Sequence, residues 1–180
     1  MQAKNYLASK GHGIVKENFD YAQLSFNQSG VKYTDVQYKK IVCCEGIGIL
    51  DNPYFKQLPM VPAKGECLLV EIPSIDTKDI YKHKTFLVPL NKHNLFWVGS
   101  NYDWDFESAA PSPEGYEWLL QKLTSSIKVP FNVKQHIAAI RPTGKDRRPY
   151  LGPHPLHKNI FIFNALGTKG SSLALSLIHI

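Results

Sequence analysis

No apolar run in this chain approaches the roughly 20 residues needed to span a bilayer, and no charged-then-apolar leader precedes the first strand. A membrane segment is therefore not expected, and a cytoplasmic location is. Cysteine is scarce. The three present, Cys43, Cys44 and Cys67, form no Cys-x-x-Cys pair and cannot make an even disulfide framework, so buried free thiols in a reducing compartment are the expectation. The seven histidines show no metal-ligand spacing. His154 and His157 are close together, but they flank prolines without a third ligand, and surface positions are expected for both. No internal repeat or low-complexity tract occurs. No His/Asp constellation accompanies Ser171, which excludes a serine nucleophile and leaves an N-cap as its reading.

What remains is an ordinary soluble composition. The chain has 180 residues, 43% hydrophobic and 20% charged, enough to bury a core as one domain or one and a half. Its net charge of +6 comes from scattered lysines, and the one dense cluster is Lys145-Asp146-Arg147-Arg148. Scattered cations read as solvated surface, so nucleic acid is not the expected partner.

Short strands with near-alternating apolar residues are expected between Gly13 and Asn27, across the turn Asn27-Gln28-Ser29-Gly30 into Val31 to Thr34, and at Ile41 to Cys44. Asp51-Asn52-Pro53 breaks the chain. A second module opens near Pro62, with a strand at Cys67 to Ile72. Thr85 to Leu90 and Leu95 to Ser100 read as a hairpin linked by Asn91-Lys92-His93-Asn94. Ser112-Pro113-Glu114 supplies an N-cap, a first-turn proline and an early acid. Tyr116, Leu119, Leu120, Leu123 and Ile127 follow at helical spacing, the best helix signal in the sequence. Val133 to Ile140 returns as a strand that ends at Arg141.

The densest motif lies near the end. Arg141-Pro142 is followed by Asp146-Arg147-Arg148-Pro149-Tyr150-Leu151-Gly152, an apolar strand at Asn159 to Phe163, and Gly167-Thr168-Lys169-Gly170 opening a helix. Backbone N–H groups and the positive end of a helix dipole are thereby placed near one fixed cation. This order resembles the C-terminal region of FAD-dependent amine and amino-acid oxidoreductases, the family of D-amino-acid oxidase, glycine oxidase and the DadA-like D-amino-acid dehydrogenases. Upstream, Lys40 to Gly48 resembles that family's apolar strand ending in small residues, and Pro62 to Val70 resembles the strand that opens its substrate domain.

The resemblance implies a mixed α+β fold. An antiparallel-sheet substrate domain would span 61–141, and an incomplete Rossmann-like FAD-binding domain of the glutathione-reductase type would be formed by 1–60 and the return segment 142–180. The family's Gly-x-Gly-x-x-Gly turn, which holds the FAD pyrophosphate, has no complete copy here. Gly46-x-Gly48 meets Asp51 where the third glycine belongs, and Gly11-x-Gly13 meets Lys16. With a helix expected at Asn5 to Lys10 and another running from Ser171 to Ile180 without a stop signal, the chain reads as a fragment of a longer enzyme.

Arg141 matches the family's arginine that forks onto the substrate carboxylate, a task suited to a planar guanidinium that never loses its charge. The bland role is a strand-end arginine that reaches solvent or pairs with Asp146, itself expected to fix the loop. Tyr102, with Trp104, follows the hairpin and is expected to line the pocket. Trp97 is expected to pack between strands, and Phe86 stands where D-amino-acid oxidase has a substrate-contacting tyrosine. By resemblance, Gly167, Thr168, Lys169, Gly170 and Ser171 form the loop under the flavin ring, and Cys44 and Gly46 approach the dinucleotide. Glu45 departs from the family's small-residue pattern, so it either points away from the cofactor or meets a ribose hydroxyl.

The implied activity is oxidation of the C–N bond of an amine or amino acid, such as a D-amino acid, glycine or sarcosine, by hydride transfer to FAD. Either an oxidase or a dehydrogenase would do this. The fragment alone is expected to be inactive and not to retain FAD. No catalytic side chain and no metal site is expected. The partner is a small-molecule amine or amino acid, and a homo-oligomer is compatible. Two alternatives stand beside it: a non-redox binding module for small carboxylates, and a tRNA-modifying FAD oxidase acting on carboxymethylaminomethyl-uridine.

Overall fold

A computed structural model of the chain describes residues 2–27, 29–90 and 94–178. Three of the four residues expected to link the hairpin, and the last two of the expected C-terminal helix, lie outside the described residues. The chain divides into two compact units, Met1–Ile41 and Val42–Ile180.

The first unit begins with helix α1 (Gln2–Ser9), followed by irregular chain where extended segments were expected. Asp20 then accepts a hydrogen bond from the Ala22 N–H at 2.9 Å and caps a 3-10 turn at Tyr21–Gln23. Strands β1 (Leu24–Asn27), β2 (Gly30–Tyr33) and β3 (Val36–Tyr38) form an antiparallel meander in that order. Strand β3 has no fully apolar alternation and all its residues are exposed, so the pattern that betrays a half-buried strand is missing.

The second unit begins within β4 (Ile41–Cys43), and a 3-10 turn at Gly46–Asp51 follows. Its main sheet is built from β5 (Ala63–Glu71), β6 (Tyr81–Lys82), β7 (Phe86–Pro89), β8 (Leu95–Gly99) and β9 (Asn132–Arg141) in the order β6-β7-β8-β5-β9, with all four neighbouring pairs antiparallel. Helix α2 (Pro113–Thr124) covers one face. Strands β10 (Tyr150–Pro153) and β11 (Ile160–Asn164) join β4 in a smaller sheet ordered β10-β11-β4, and helix α3 (Gly170–Leu177) follows β11. Strand β10 escaped the sequence because Gly152 and Pro153 make it read as a turn.

The core forms where alternate residues of β5 meet α2. Leu68, Val70 and Ile72 are fully buried against Phe96 and Val98 of β8 and against Leu119 and Leu123 of α2. The same face carries two charges at its other end. Lys64 Nζ lies 3.0 Å from Glu66 Oε1, and both side chains are withdrawn from solvent. Glu66 is held further by the Ser112 hydroxyl at 2.7 Å and the Ser112 N–H at 3.0 Å, and His136 Nε2 stands 2.7 Å from its other oxygen. The carboxylate thus sits at the N-terminus of α2, where the helix dipole favours negative charge. Gly115 permits this, since a Cβ there would overlap the Glu66 carboxylate.

Ser112 has two tasks, because its hydroxyl oxygen also accepts the Gly115 N–H at 3.1 Å as the N-cap of α2. Ser112→Ala is expected to destabilise the chain by about 1–2 kcal/mol, near the upper end for a lost cap. Urea unfolding followed by far-UV dichroism checks this, and a change under a few tenths of a kcal/mol would show that the cap contributes little.

Burial pushes the Glu66 carboxyl up, but the Ser112 hydrogen bonds and the Lys64 ammonium outweigh it and leave its pKa below the ordinary value of 4.5. A depressed native pKa contributes stability that is present above the unfolded value and lost as pH falls through the native one. Stability measured from pH 7 downward is therefore expected to fall below about pH 4.5, and the Glu66→Gln variant should lack that component of the fall.

Candidate functional site

Strand pleating sends the neighbours of Lys64 and Glu66 to the opposite face of the main sheet. There Ala63 pairs with Arg141 and Gly65 with Ala139, so Arg141, the last residue of β9, projects from the same face as Gly65. Its guanidinium lies directly over Gly65, and a Cβ at position 65 would overlap it. Arg141 Nη2 donates to Ser100 Oγ and Nη1 to the Asn101 carbonyl at 3.4 Å. Asn101 is itself fixed, its Oδ1 accepting the Glu66 N–H at 2.6 Å.

Arg141 makes no ion pair among the described residues. The expected bland partner, Asp146, instead accepts the Arg148 N–H at 3.0 Å and shapes its own loop. The charge is therefore held by neutral oxygens and not cancelled. The guanidinium carbon lies 4.4 Å from the centre of the Tyr102 ring, within cation–π range. Tyr102 in turn stacks on Trp104, with centroids 6.1 Å apart and planes inclined by 23°. Both rings are about half exposed. Trp97 packs between Leu69 and Val88, as expected, and Phe86 is paired with Gly99 on the same sheet.

Tyr102 and Trp104 line a cleft of about 410 Å³, together with Thr143, Arg147, Thr168 and Lys169. Arg141 and the glycine-hinged turn therefore meet through Tyr102. At that turn β11 ends at Asn164, Ala165 and Gly167 take positive φ (58° and 55°), and the Gly167 N–H donates to the Pro142 carbonyl at 3.0 Å. The chain reverses there and enters α3. Glycine meets this backbone demand at 167 without steric cost.

Of the residues expected at the cofactor, Gly167, Thr168 and Lys169 line the cleft, whereas Gly170 and Ser171 are the first residues of α3 and are not among those lining it. Ser171 is not the N-cap. Lys169 holds that position, without a side-chain capping bond, because the 3-10 turn at Gly167–Lys169 carries the chain straight into the helix. Gly46 has φ +61°, and its carbonyl accepts the Asn164 side-chain N–H at 2.8 Å, which ties the β4 end to the β11 end. Cys44 is exposed, contrary to the expectation of buried thiols, while Cys43 and Cys67 are buried. Glu45 accepts the Asn52 side-chain N–H at 2.7 Å.

His154 corrects a second expectation, since it is buried. Its Nδ1 accepts the N–H groups of Leu156 (3.2 Å) and His157 (3.1 Å). Burial, followed by the nearby His157 and Lys158, lowers its pKa and favours the neutral ring that can accept these bonds. It organises a turn and is no surface group. No group of metal-ligating side chains occurs among the described residues, and no described helix is long and apolar enough to cross a membrane.

The sequence reading missed Arg147. It belongs to a charged cluster that looks like solvated surface, but it takes a positive φ of 60° and lines the cleft. Only an arginine in a turn sequence, Thr143-Gly144-Lys145-Asp146, could have hinted at this.

The flavin ring is the group this turn would face in the resembling family, and the donor set suits it. The cleft is lined by the Lys169 ammonium, the Arg147 guanidinium and the Thr168 hydroxyl, and by no carboxylate. Positive and hydrogen-bonding groups of this kind stabilise charge at the electron-rich edge of such a ring.

The mixed α/β architecture with its antiparallel sheet is that of solved amino-acid and amine oxidases. Glycine oxidase from Geobacillus kaustophilus superposes with a TM-score of 0.73 at 23% identity, covering 96% of this chain and 50% of that one. Iminodiacetate oxidase from Chelativorans sp. BNC1 gives 0.68 at 19% identity, covering 87% and 46%. Residues 8–177 match the family described as DAO, FAD dependent oxidoreductase, and the chain belongs to it. Among curated relatives, glycine oxidase of Bacillus subtilis (strain 168) is 34% identical over 120 residues, covering 60% of this chain and 31% of its own length. The tRNA 5-methylaminomethyl-2-thiouridine biosynthesis bifunctional protein MnmC of Idiomarina loihiensis is 28% identical over 129 residues, covering 68% and 21%. The chain thus spans about a third or less of these curated relatives and about half of the solved structures.

Proposed function

We propose that this chain is the substrate-facing portion of a flavin-dependent oxidoreductase that oxidises the C–N bond of an amine or amino acid. One observation supports it most: a half-buried guanidinium, Arg141, is clamped by the neutral oxygens of Ser100 and Asn101 and has no acidic partner among the described residues. Such a group keeps its full charge for a ligand, and its planar fork suits a carboxylate. Arg141 binds the substrate carboxylate, and Tyr102 orients it from the flank. Gly167, Thr168, Lys169, Gly170 and Ser171 border the flavin ring, with Cys44 and Gly46 nearer the dinucleotide. Residues 61–141 form the substrate domain, with 1–60 and 142–180 on the cofactor side.

When bound, FAD supplies the hydride acceptor. The chain's own part is orientation: a fixed carboxylate anchor and an aromatic wall present the substrate's α-carbon in one pose, and holding a reactant so is worth several orders of magnitude in rate. No acid/base pair is needed at the α-carbon for hydride transfer, in keeping with a cleft that contains no carboxylate or histidine.

The test uses the native full-length flavoprotein, titrated anaerobically with glycine, sarcosine, proline and a panel of D-amino acids. One of these is expected to bleach the flavin, and Arg141→Ala is expected to abolish bleaching at low substrate. A full-length protein that neither carries nor takes up flavin would sink the redox reading and leave a small-carboxylate binding module. The likeness to the tRNA-modifying protein favours a second reading, in which the same anchor takes the carboxymethylaminomethyl group of a tRNA uridine. Tight, strongly salt-dependent tRNA binding would select it.

A further inference from the structure

Strand β8 leaves the main sheet in two stages. Its pairing with β5 is regular from Glu71 with Leu95 to Cys67 with Gly99. A further antiparallel bridge then joins Lys64 to Asp103, the Lys64 N–H donating to the Asp103 carbonyl at 2.8 Å and the Asp103 N–H to the Lys64 carbonyl at 2.9 Å. Between these two points β5 contributes Gly65 and Glu66, whereas the opposite chain contributes Ser100, Asn101 and Tyr102. One extra residue on one side of an antiparallel ladder is a β-bulge, a device that re-aims side chains.

The bulge takes from Glu66 its place in the ladder, since the register of Leu68 with Val98 would set Ser100 opposite it. Glu66 is buried, and a buried backbone N–H left without an acceptor is unfavourable. The Asn101 side chain supplies the acceptor, its Oδ1 taking the Glu66 N–H at 2.6 Å. A side chain thus stands in for strand backbone and pins the bulge at its middle residue.

All three bulge residues meet the same group. Ser100 through its hydroxyl oxygen, Asn101 through its backbone carbonyl and Tyr102 through its ring contact the Arg141 guanidinium. Asn101 therefore works at both ends: its side-chain oxygen is tied to β5 and its backbone oxygen to Arg141. Release of the first lets the peptide turn and carries the second, with both neighbours, away from the guanidinium.

We propose that the Asn101 side chain is a positioning residue for substrate binding, which closes the bulge on the Glu66 N–H and so fixes the place and plane of the Arg141 guanidinium. The inference rests on Arg141 being the carboxylate anchor. A planar fork meets both carboxylate oxygens only when it is correctly presented, so a displaced seat weakens binding although the charge is intact.

The experiment is a double-mutant cycle on the native full-length holoenzyme. Asn101→Leu keeps the size of the side chain and removes the acceptor. Kd for propionate, an unreactive carboxylate, is read from the perturbation of flavin absorbance, and KM and kcat are measured with an amino acid that bleaches the flavin. Kd and KM are expected to rise by about tenfold, the scale of one hydrogen bond to a charged group. Saturated turnover should change far less, because the contact serves substrate and transition state alike. In the Arg141→Ala background Asn101→Leu is expected to add nothing, as no guanidinium remains to be placed. Thr85→Val controls for a loosened strand end. It removes a hydroxyl that donates to the Gly99 carbonyl at 3.1 Å, outside the bulge, and should leave Kd unchanged. Asn101→Ala, which admits water to the freed N–H, is expected to repeat the loss and serves if the leucine variant does not fold.

An unchanged Kd in the folded Asn101 variants, with Arg141→Ala still weakening binding, sinks this inference alone. An equal loss from Asn101→Leu with and without Arg141, or the same loss from Thr85→Val, means general loosening and overturns the positioning role. If Arg141→Ala alters neither Kd nor KM, the carboxylate anchor falls and the role of Asn101 with it.

Discussion

Glu66→Ala is expected to lower the unfolding free energy by about 3–5 kcal/mol, the cost of leaving buried charge without its partner. The carboxylate is fully enclosed, accepts from the Lys64 ammonium and from the hydroxyl and N–H of Ser112, and lies 2.7 Å from His136 Nε2. Its removal strands a buried lysine and takes the acceptor from the hydroxyl and N–H of Ser112, the N-cap of α2, in one step. A control separates this from surface electrostatics. The Lys134–Glu71 pair is as short, at 2.7 Å, but half open to water, so Glu71→Gln should cost under about 1 kcal/mol. Urea unfolding of both variants decides the matter. Equal, small losses would mean that the buried network contributes no more than a surface pair.

Gly65→Ala is expected to do at the proposed substrate site what Arg141→Ala does, without changing the proposed ligand-binding side chain. The new methyl would occupy the space of the guanidinium. A long flexible side chain can swing away, so the fold should lose little stability. The anchor, however, leaves its seat on Ser100 and Asn101. Loss of one charge-assisted contact to a carboxylate costs about 2–5 kcal/mol, so KM in the full-length flavoprotein should rise by about 30-fold or more in both variants, every 1.4 kcal/mol being tenfold. An unaltered KM in Gly65→Ala, with normal folding, would show that the observed seat of Arg141 is not its working position.

The parts of this architecture legible in the sequence are those specified locally. Ser112-Pro113-Glu114 announced α2 because cap, proline and acid each act within one turn. The apolar run at Cys67 to Ile72 announced the core strand, although β5 begins earlier, at Ala63. The order of motifs around Arg141 and Gly167 gave the family, and structure brings both to Tyr102.

What stayed hidden depends on distant partners. Lys64 was one of the scattered lysines read as solvated surface, and nothing near Glu66 reveals that Ser112, 46 residues on, will donate to its carboxylate. Strand β6, only Tyr81–Lys82, is too short to show a period. His154 looked superficial because flanking prolines mark a loop, yet that loop folds its imidazole inward to serve two N–H groups. Arg147 was lost in a basic cluster, since its backbone angle leaves no trace in composition.

Strand β5 places a glycine and a glutamate side by side, at 65 and 66, on opposite faces of the sheet. A slip of one residue in its pairing would exchange their surroundings. The carboxylate, still paired with Lys64 on its own strand, would then lie on the face of Arg141, and the glycine would leave Ser112 and His136 facing nothing. No misregistered sheet can therefore pass for a slightly weakened native one: recognition and core fail together. The two adjacent residues act as a lock on alignment, and a redesign of this strand that treated either one alone would open it.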